Sequence, residues 1–147
     1  MVKAMDLADY AVYCCTVANR PISNLHLQKM LYFLQSIYCR NTGKLLFPEA
    51  FSAWPYGPVI PEIYDKYSAY GGRAIIRHES KVLAVRNDIK QFVDAGIDIL
   101  SKQSPWDLVK TTHAPGSPWD RVYQDGKGYK KEIPNEYIIE ASETKRG

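Results

Sequence analysis

The chain has 147 residues, of which 46% are hydrophobic and 24% charged, and this balance excludes extended disorder. Its 19 basic and 16 acidic residues leave a net charge of +3, which is too small for a dedicated nucleic-acid-binding protein. We predict one domain over residues 1–147, with its core at about residues 6–141 and a frayed tail at residues 142–147.

The N-terminal segment and the cysteines indicate a cytoplasmic protein. Residues 1–10 carry charges and lack the apolar run of a signal peptide, and no apolar stretch reaches the length of a membrane span. The chain has three cysteines, which is an odd number, and they form no Cys-x-x-Cys motif: Cys14, Cys15 and Cys39. We therefore expect mostly buried thiols in a reducing compartment, and no membrane partner.

Apolar residues recur at helical spacing in the first forty positions. The pattern predicts a helix over Asp6–Asn19 and a second over about Leu25–Arg40, with Pro21 ending the first. Ser23 or Asn24 is expected to cap the second helix. Four residues are placed away from the apolar stripe of that helix: Gln28, Lys29, Gln35 and Arg40.

Short extended pieces surround the third predicted helix. Residues 45–47 and 51–54 are expected to form a small hairpin, and a helix is predicted from Pro61 to Tyr70. Residues 74–77 and 82–85 form either a second hairpin or an irregular excursion.

Helix-start signals dominate the C-terminal part. Helices are predicted up to Ser101 with Asn87 as the N-cap, from Ser104 to His113, from Ser117 onward and over Pro134–Ala141. Ser104 and Ser117 both precede a Pro-Trp pair and are interpreted as N-caps. The fold class is mainly α (α+β): a compact bundle of about five to six helices with one or two short β-hairpins.

The densest chemical signal lies in residues 53–61, which hold three prolines, two aromatic residues and one glycine. Proline fixes φ and removes a backbone donor, so this segment is stiff and is neither a central strand nor an uninterrupted helix. It is either a packed corner or a preformed contact surface, and the two interpretations are compatible. The candidate protein-binding residues are Trp54, Tyr56, Gly57, Pro58 and Val59, with Tyr64 and Tyr67 of the following helix.

Four further residues receive supporting roles: Lys29, Tyr32, His113 and Trp119. Lys29 is expected to pair with an acidic group or to cap a carbonyl, with the ion pair favoured. His113 ends a helix, where the helix dipole favours an imidazolium. No histidine has a partner at metal-ligand spacing, and no catalytic motif is present, so we expect no metal, no cofactor and no enzymatic activity.

Two alternatives stay open from the residues alone. The Gly- and Lys-rich stretch at residues 127–131 suits a nucleic-acid-binding regulator, whose affinity for DNA would fall steeply with salt. A hydrolase is a third class, and it requires an open polar pocket that joins His113 to an acidic residue.

Several motifs in fixed order resemble one known family. They are Leu27-Gln28-Lys29-Met30-Leu31-Tyr32, Gly43, Leu46-Phe47, Ala53-Trp54-x-Tyr56-Gly57-Pro58-Val59, Tyr64, Thr112-His113 and Pro118-Trp119. Together they resemble the SocA-like, or Panacea, antitoxin domain, whose members also include phage-associated GepA-like proteins. The resemblance spans about Leu7 to Ile139, and its Trp-x-Tyr-Gly-Pro-Val element is the most specific part.

The resemblance implies a mainly helical protein that neutralises a toxin encoded beside it. Members pair with toxins of unrelated kinds, so the domain does not identify its target. By resemblance the chain is a stand-alone antitoxin or a prophage-borne relative of one. Because antitoxins often repress their own operons, operator DNA stays open as a second partner, and self-association stays open as well.

Overall fold

The computed structural model describes residues 1–146, which contain seven α-helices and one three-stranded antiparallel sheet. The elements are α1 (Ala4–Val17), α2 (Asn24–Thr42), β1 (Phe51–Trp54), β2 (Gly57–Val59), α3 (Pro61–Lys66), α4 (Asn87–Ser101), α5 (Pro105–Thr112), α6 (Pro118–Tyr123), β3 (Glu132–Ile133) and α7 (Asn135–Arg146). The α+β class and the helical character are confirmed. Residue 147 of the predicted tail lies outside the described residues.

Helix α2 is the central element, because it packs against α1, α4, α5, α7 and strand β2. It begins after Ser23, whose Oγ accepts a hydrogen bond of 3.2 Å from the backbone N–H of His26. It ends at Gly43, which adopts the left-handed conformation with φ of 74°. The predicted cap at Ser23 is therefore confirmed.

Three polar side chains of α2 lie inside the protein, although the sequence pattern placed them away from the buried stripe. Gln28, Lys29 and Gln35 are at most 1% exposed. Gln35 accepts a hydrogen bond of 2.7 Å from the N–H of Leu46 and donates one of 2.8 Å to the carbonyl of Phe47. These side chains are buried because the chain after α2 folds back over this face of the helix. They form hydrogen bonds with backbone groups of that later segment.

The sheet is built around β1, in the order β2-β1-β3. Trp54 pairs with Gly57 at the end of the β1–β2 hairpin, and Phe51 pairs with Ile133 of β3. The predicted hairpin between residues 45–47 and β1 is wrong, since Gln35 binds that backbone instead. Strand β2 lies at the edge of the sheet, where Pro58 is tolerated because one side of the strand needs no donor.

The stretch between α3 and α4 is irregular. Helix α3 ends at Lys66 and a short 3-10 turn covers Ser68–Tyr70, so the predicted helix to Tyr70 is broken near its end. Residues 74–86 form no second hairpin within the described chain. Their only β-type pairing there is an isolated bridge between Ser23 and Ala74.

The C-terminal helices follow the predicted starts. Pro105 and Pro118 occupy the first turns of α5 and α6, and Ser117 Oγ accepts a hydrogen bond of 3.1 Å from the N–H of Asp120. Ser104 precedes α5, but its side chain makes no capping bond to the described residues. Helix α7 continues beyond its predicted end at Ala141 to Arg146, and Ser142 in this extension is buried.

The cysteines and the helix lengths bear on the expected compartment. Cys15 and Cys39 are buried, Cys14 is partly buried, and all three are free thiols. No helix among residues 1–146 combines the length and the apolar character needed to cross a membrane.

Candidate functional site

Two pairs of aromatic side chains lie at the β1–β2 hairpin, each with one ring from the hairpin and one from a helix. Trp54 is partly buried and its ring centre lies 4.9 Å from that of Tyr64, which is 36% exposed. Tyr56, in the turn, is 58% exposed and meets Trp106 edge to face at 5.3 Å. We call Trp54, Tyr56, Tyr64 and Trp106 the aromatic ridge.

Trp106 belongs to the ridge, although it was not among the predicted site residues. Its Ser-Pro-Trp context indicates a helix start, which is correct for the backbone of α5. A large aromatic side chain in the first turn of a helix has few intrahelical neighbours, and this one is 57% exposed. That position is the signal that could have placed it at the surface.

The other half of the predicted segment lies beneath the ridge. Gly57, Pro58 and Val59 are buried. Gly57 has φ of +109°, and a Cβ there would come within 2.7 Å of Thr112 Oγ1 and 2.9 Å of Lys29 Cε. Residues 54–59 therefore form a packed corner on one side and expose aromatic rings on the other.

Lys29 supports this corner from α2. Its side chain is fully buried, and its Nζ donates a hydrogen bond of 2.7 Å to the carbonyl oxygen of Pro58. Among residues 1–146 no carboxylate lies within 4.0 Å of this nitrogen, so the favoured ion pair is wrong and the carbonyl cap is correct. Burial lowers the pKa of Lys29 to about 7, because a desolvated ammonium is unfavourable.

His113 and Trp119 brace the hairpin from α5 and α6. Their ring centres lie 3.9 Å apart in a stacked arrangement, and Tyr123 also stacks on Trp119, at 4.6 Å. Trp119 Nε1 donates a hydrogen bond of 2.7 Å to the carbonyl of Trp54. Burial and the nearby Lys29 lower the pKa of His113. Both effects oppose the imidazolium that the sequence predicts at this helix end.

Tyr32 and Tyr67 lie in the core and are each 6% exposed. The Tyr32 ring packs edge to face on Phe51 at 5.4 Å, and burial raises its pKa to about 12. The Tyr67 hydroxyl donates a hydrogen bond of 2.5 Å to Asp9. Neither ring belongs to the exposed ridge.

The basic loop at residues 127–131 adjoins the ridge. Ala53 of β1 exchanges backbone hydrogen bonds of 2.8 Å with Lys130 and Lys131. The Lys130 ammonium then lies 5.5 Å from the ring centre of Trp54 and 5.3 Å from that of Tyr129. The two surfaces that the sequence suggested separately, aromatic and basic, are thus one continuous surface.

Two cavities lie elsewhere. One of about 630 Å³ lies between α2, α7 and the α5–α6 connection, and one of about 280 Å³ is lined by Tyr10, Cys14 and Arg20, among others. His113 lines neither cavity. Within the described part of the chain, no three His, Cys, Asp or Glu side chains cluster as a metal site would require.

Comparison with known proteins decides the family. Residues 27–120 match the model of the "Antitoxin SocA-like, Panacea domain" family. The chain belongs to the SocA-like, Panacea family. The predicted resemblance is confirmed, and the matched range contains the whole ridge, Lys29 and Trp119, whereas the basic loop lies beyond it.

A named relative covers most of the chain. "Antitoxin SocA" of Caulobacter vibrioides (strain NA1000 / CB15N) is 36% identical over 138 residues, which is 86% of this chain and 73% of the relative. No solved structure matches this Panacea protein.

Proposed function

We propose that this Panacea protein is an antitoxin that neutralises a toxin encoded beside it through direct, stoichiometric binding. Its family and its relative named Antitoxin SocA support the antitoxin role. The observation that carries direct binding is the aromatic ridge, which is exposed and held in place by packed residues beneath it.

The ridge has the properties of a binding hot spot. Tyrosine and tryptophan bury large areas with few rotatable bonds, and truncating such residues at interfaces costs roughly 2 kcal/mol or more. Prolines and ring contacts hold Tyr56 and Trp106 before any partner arrives, so little conformational entropy is lost on binding. Inhibition then follows from covering the active surface of the toxin or from holding the toxin inactive.

Binding without chemistry fits the polar groups near the ridge. The Lys29 amine donates to a backbone carbonyl, and the His113 ring is stacked between elements of the scaffold. Both side chains hold the hairpin in position, and neither lines a described cavity. We infer that this protein is not an enzyme.

Co-expression with the adjacent open reading frame tests the proposal. The neighbour alone should arrest growth, and the Panacea chain should restore it and co-purify with the neighbour. Tyr56→Ala combined with Trp106→Ala should weaken rescue, whereas Ile99→Ala, on an α4 residue 57% exposed, should not. If the neighbour is not toxic and does not co-purify with the Panacea chain, the antitoxin role is overturned. Full rescue by the folded double variant would show that the ridge is not the interface.

Autorepression through residues 127–131 is the second candidate, because Lys127, Lys130 and Lys131 are exposed. The position of Lys130 beside Trp54 favours a contact with protein over one with phosphates alone. A salt titration against promoter DNA separates the two, since several phosphate contacts produce a steep loss of affinity with salt.

A further inference from the structure

We infer that the ridge and Lys130 together bind an extended acidic segment of the toxin, with a carboxylate at Lys130 and an apolar side chain against the Tyr56–Trp106 pair. This inference rests on the proposed function and specifies the chemistry of the partner. It is carried by a cation that lies over the Trp54 ring of the ridge and has no carboxylate partner among the described residues.

The backbone of Lys130 has a conformation that residues other than glycine rarely adopt. Its φ is 65°, in the left-handed region, which costs a non-glycine residue roughly 1 kcal/mol. Its N–H is bonded to Ala53, so the backbone cannot relax without losing the pairing with β1. The backbone position of Lys130 is therefore set, and its ammonium lies over the rings of Trp54 and Tyr129.

The Lys130 ammonium has no carboxylate within 4.0 Å among the residues that the structure describes. Lys66, Lys81, Lys90 and Lys102 each pair with an aspartate, whereas Lys44, Lys127 and Lys131 resemble Lys130 in having no carboxylate within 4.0 Å among the described residues. Lys130 differs from these three because its ammonium lies over aromatic rings. A cation that contacts only aromatic faces retains its full capacity to bind an anion, and a partner that excludes water would strengthen that attraction.

The exposed aromatic residues of the described chain all lie at the hairpin or beside Lys130. Nine large hydrophobic residues are exposed in the described chain, and the four aromatic ones among them are Tyr56, Tyr64, Trp106 and Tyr129. All four belong to the ridge or contact Lys130. The other five are scattered aliphatic residues, which need no explanation, whereas a grouped aromatic surface indicates a binding site.

The chemistry of this surface suits a peptide better than nucleic acid alone. The Lys130 ammonium lies over the Trp54 ring, and Asp107 follows Trp106 in the first turn of α5, so the residues around the ridge carry charges of both signs. A peptide with an apolar side chain at Tyr56 and Trp106 and a carboxylate at Lys130 complements both the rings and the cation.

Zero-length cross-linking of the co-purified complex tests this contact. A carbodiimide joins an amine and a carboxylate only when they touch, forming an amide while the carbodiimide takes up the lost water as a urea. We expect a cross-link from Lys130 to an Asp or Glu of the toxin, found by mass spectrometry. Lys44 is exposed in the α2–β1 connection and should give none, which serves as the control.

Affinity measurements complete the test. Lys130→Glu should weaken toxin binding at least tenfold, Lys130→Arg should retain it, and Lys44→Glu should not change it. Unchanged melting temperatures show that the variants are folded. If Lys130→Glu has a lower melting temperature, Lys130→Met is measured in its place.

The outcomes separate the two proposals. A complex that forms normally with Lys130→Glu, or that gives no Lys130 cross-link, overturns the acidic segment and leaves the antitoxin function intact. The absence of any complex with the neighbour overturns both. Binding of promoter DNA that depends on Lys130, with toxin binding unaffected, overturns the acidic segment in favour of repression.

Discussion

The Nζ of Lys29 lies 2.7 Å from the carbonyl oxygen of Pro58, and this hydrogen bond joins the central helix to the hairpin that carries the ridge. The amine is fully buried and has no acidic partner among residues 1–146. A buried lysine in this position favours its neutral form, which still donates to a carbonyl. The stability of the hairpin is therefore coupled to the protonation of one side chain.

Stability should rise with pH because of Lys29. Its pKa is about 7 in the folded protein, against an ordinary value of 10.5. Between these values the unfolded chain binds a proton that the folded chain lacks, so the free energy of unfolding increases with pH, by at most about 1.4 kcal/mol per pH unit. Urea denaturation between pH 7 and 9 measures this slope.

Lys29→Met is the matched variant for this measurement. It roughly keeps the length of the side chain and removes the titrating group. The free energy of unfolding of the wild type minus that of the variant should therefore increase from pH 7 to pH 9. The other titrating groups cancel in that difference. Parallel curves for the two proteins would show that the Lys29 amine stays protonated when folded.

Gly57→Ala should destabilise the protein by about 3 kcal/mol. The new methyl group meets Thr112 Oγ1 at 2.7 Å, and φ of +109° is strained for alanine. Gly116→Ala measures the cost of the backbone conformation alone. Gly116 has φ of +79°, and apart from Gly116 and its two chain neighbours no described atom lies within 4 Å of the new methyl group. We expect about 1 kcal/mol there, measured by chemical denaturation. Equal losses in the two variants would contradict the close packing under the hairpin.

Gln35→Ala should cost about 3 kcal/mol. The fully buried amide binds the N–H of Leu46 and the carbonyl of Phe47, and its removal leaves both backbone groups buried without partners. Gln91→Ala, at an exposed position of α4, should change stability by less than about 0.5 kcal/mol. Thermal melting of both variants measures the contrast, and a small effect at Gln35 would mean that water replaces the amide.

Periodicity predicted most helices because each has an apolar face and a marked start. Helix α4 ends at the predicted Ser101 and begins at Asn87, one residue earlier than a cap at Asn87 implies, because Arg86 occupies the N-cap position. The serine-proline starts of α5 and α6 lie where the pattern predicts them. The same reasoning failed for Gln28 and Gln35. Their burial depends on a chain segment that returns over α2 from later in the sequence, and helical spacing contains no information about it.

The candidate site was predictable in its centre and not at its edges. The proline and aromatic content of residues 53–61 marked the hairpin, because stiffness and ring size are local properties. The proximity of Trp106 and Lys130 to that hairpin is a tertiary relationship over 50 residues or more, and only the fold reveals it. Tyr67 was a candidate protein-binding residue beside Tyr64, and only the fold shows that its ring is buried.

Tyr67→Phe should lower stability without changing the affinity for the toxin. The Tyr67 hydroxyl donates to Asp9, a buried carboxylate that also binds Lys66 at 2.8 Å. Removing one donor to a buried charge costs about 2 kcal/mol. Tyr64→Phe is the control for stability, because no hydrogen bond of its hydroxyl is found among the described residues, while Tyr64→Ala should weaken binding. Denaturation curves and calorimetric titration with the neighbouring gene product measure both effects. If Tyr67→Phe weakened binding and left the melting temperature unchanged, Tyr67 would be a contact residue, and the toxin would have to reach below the surface that the ridge presents.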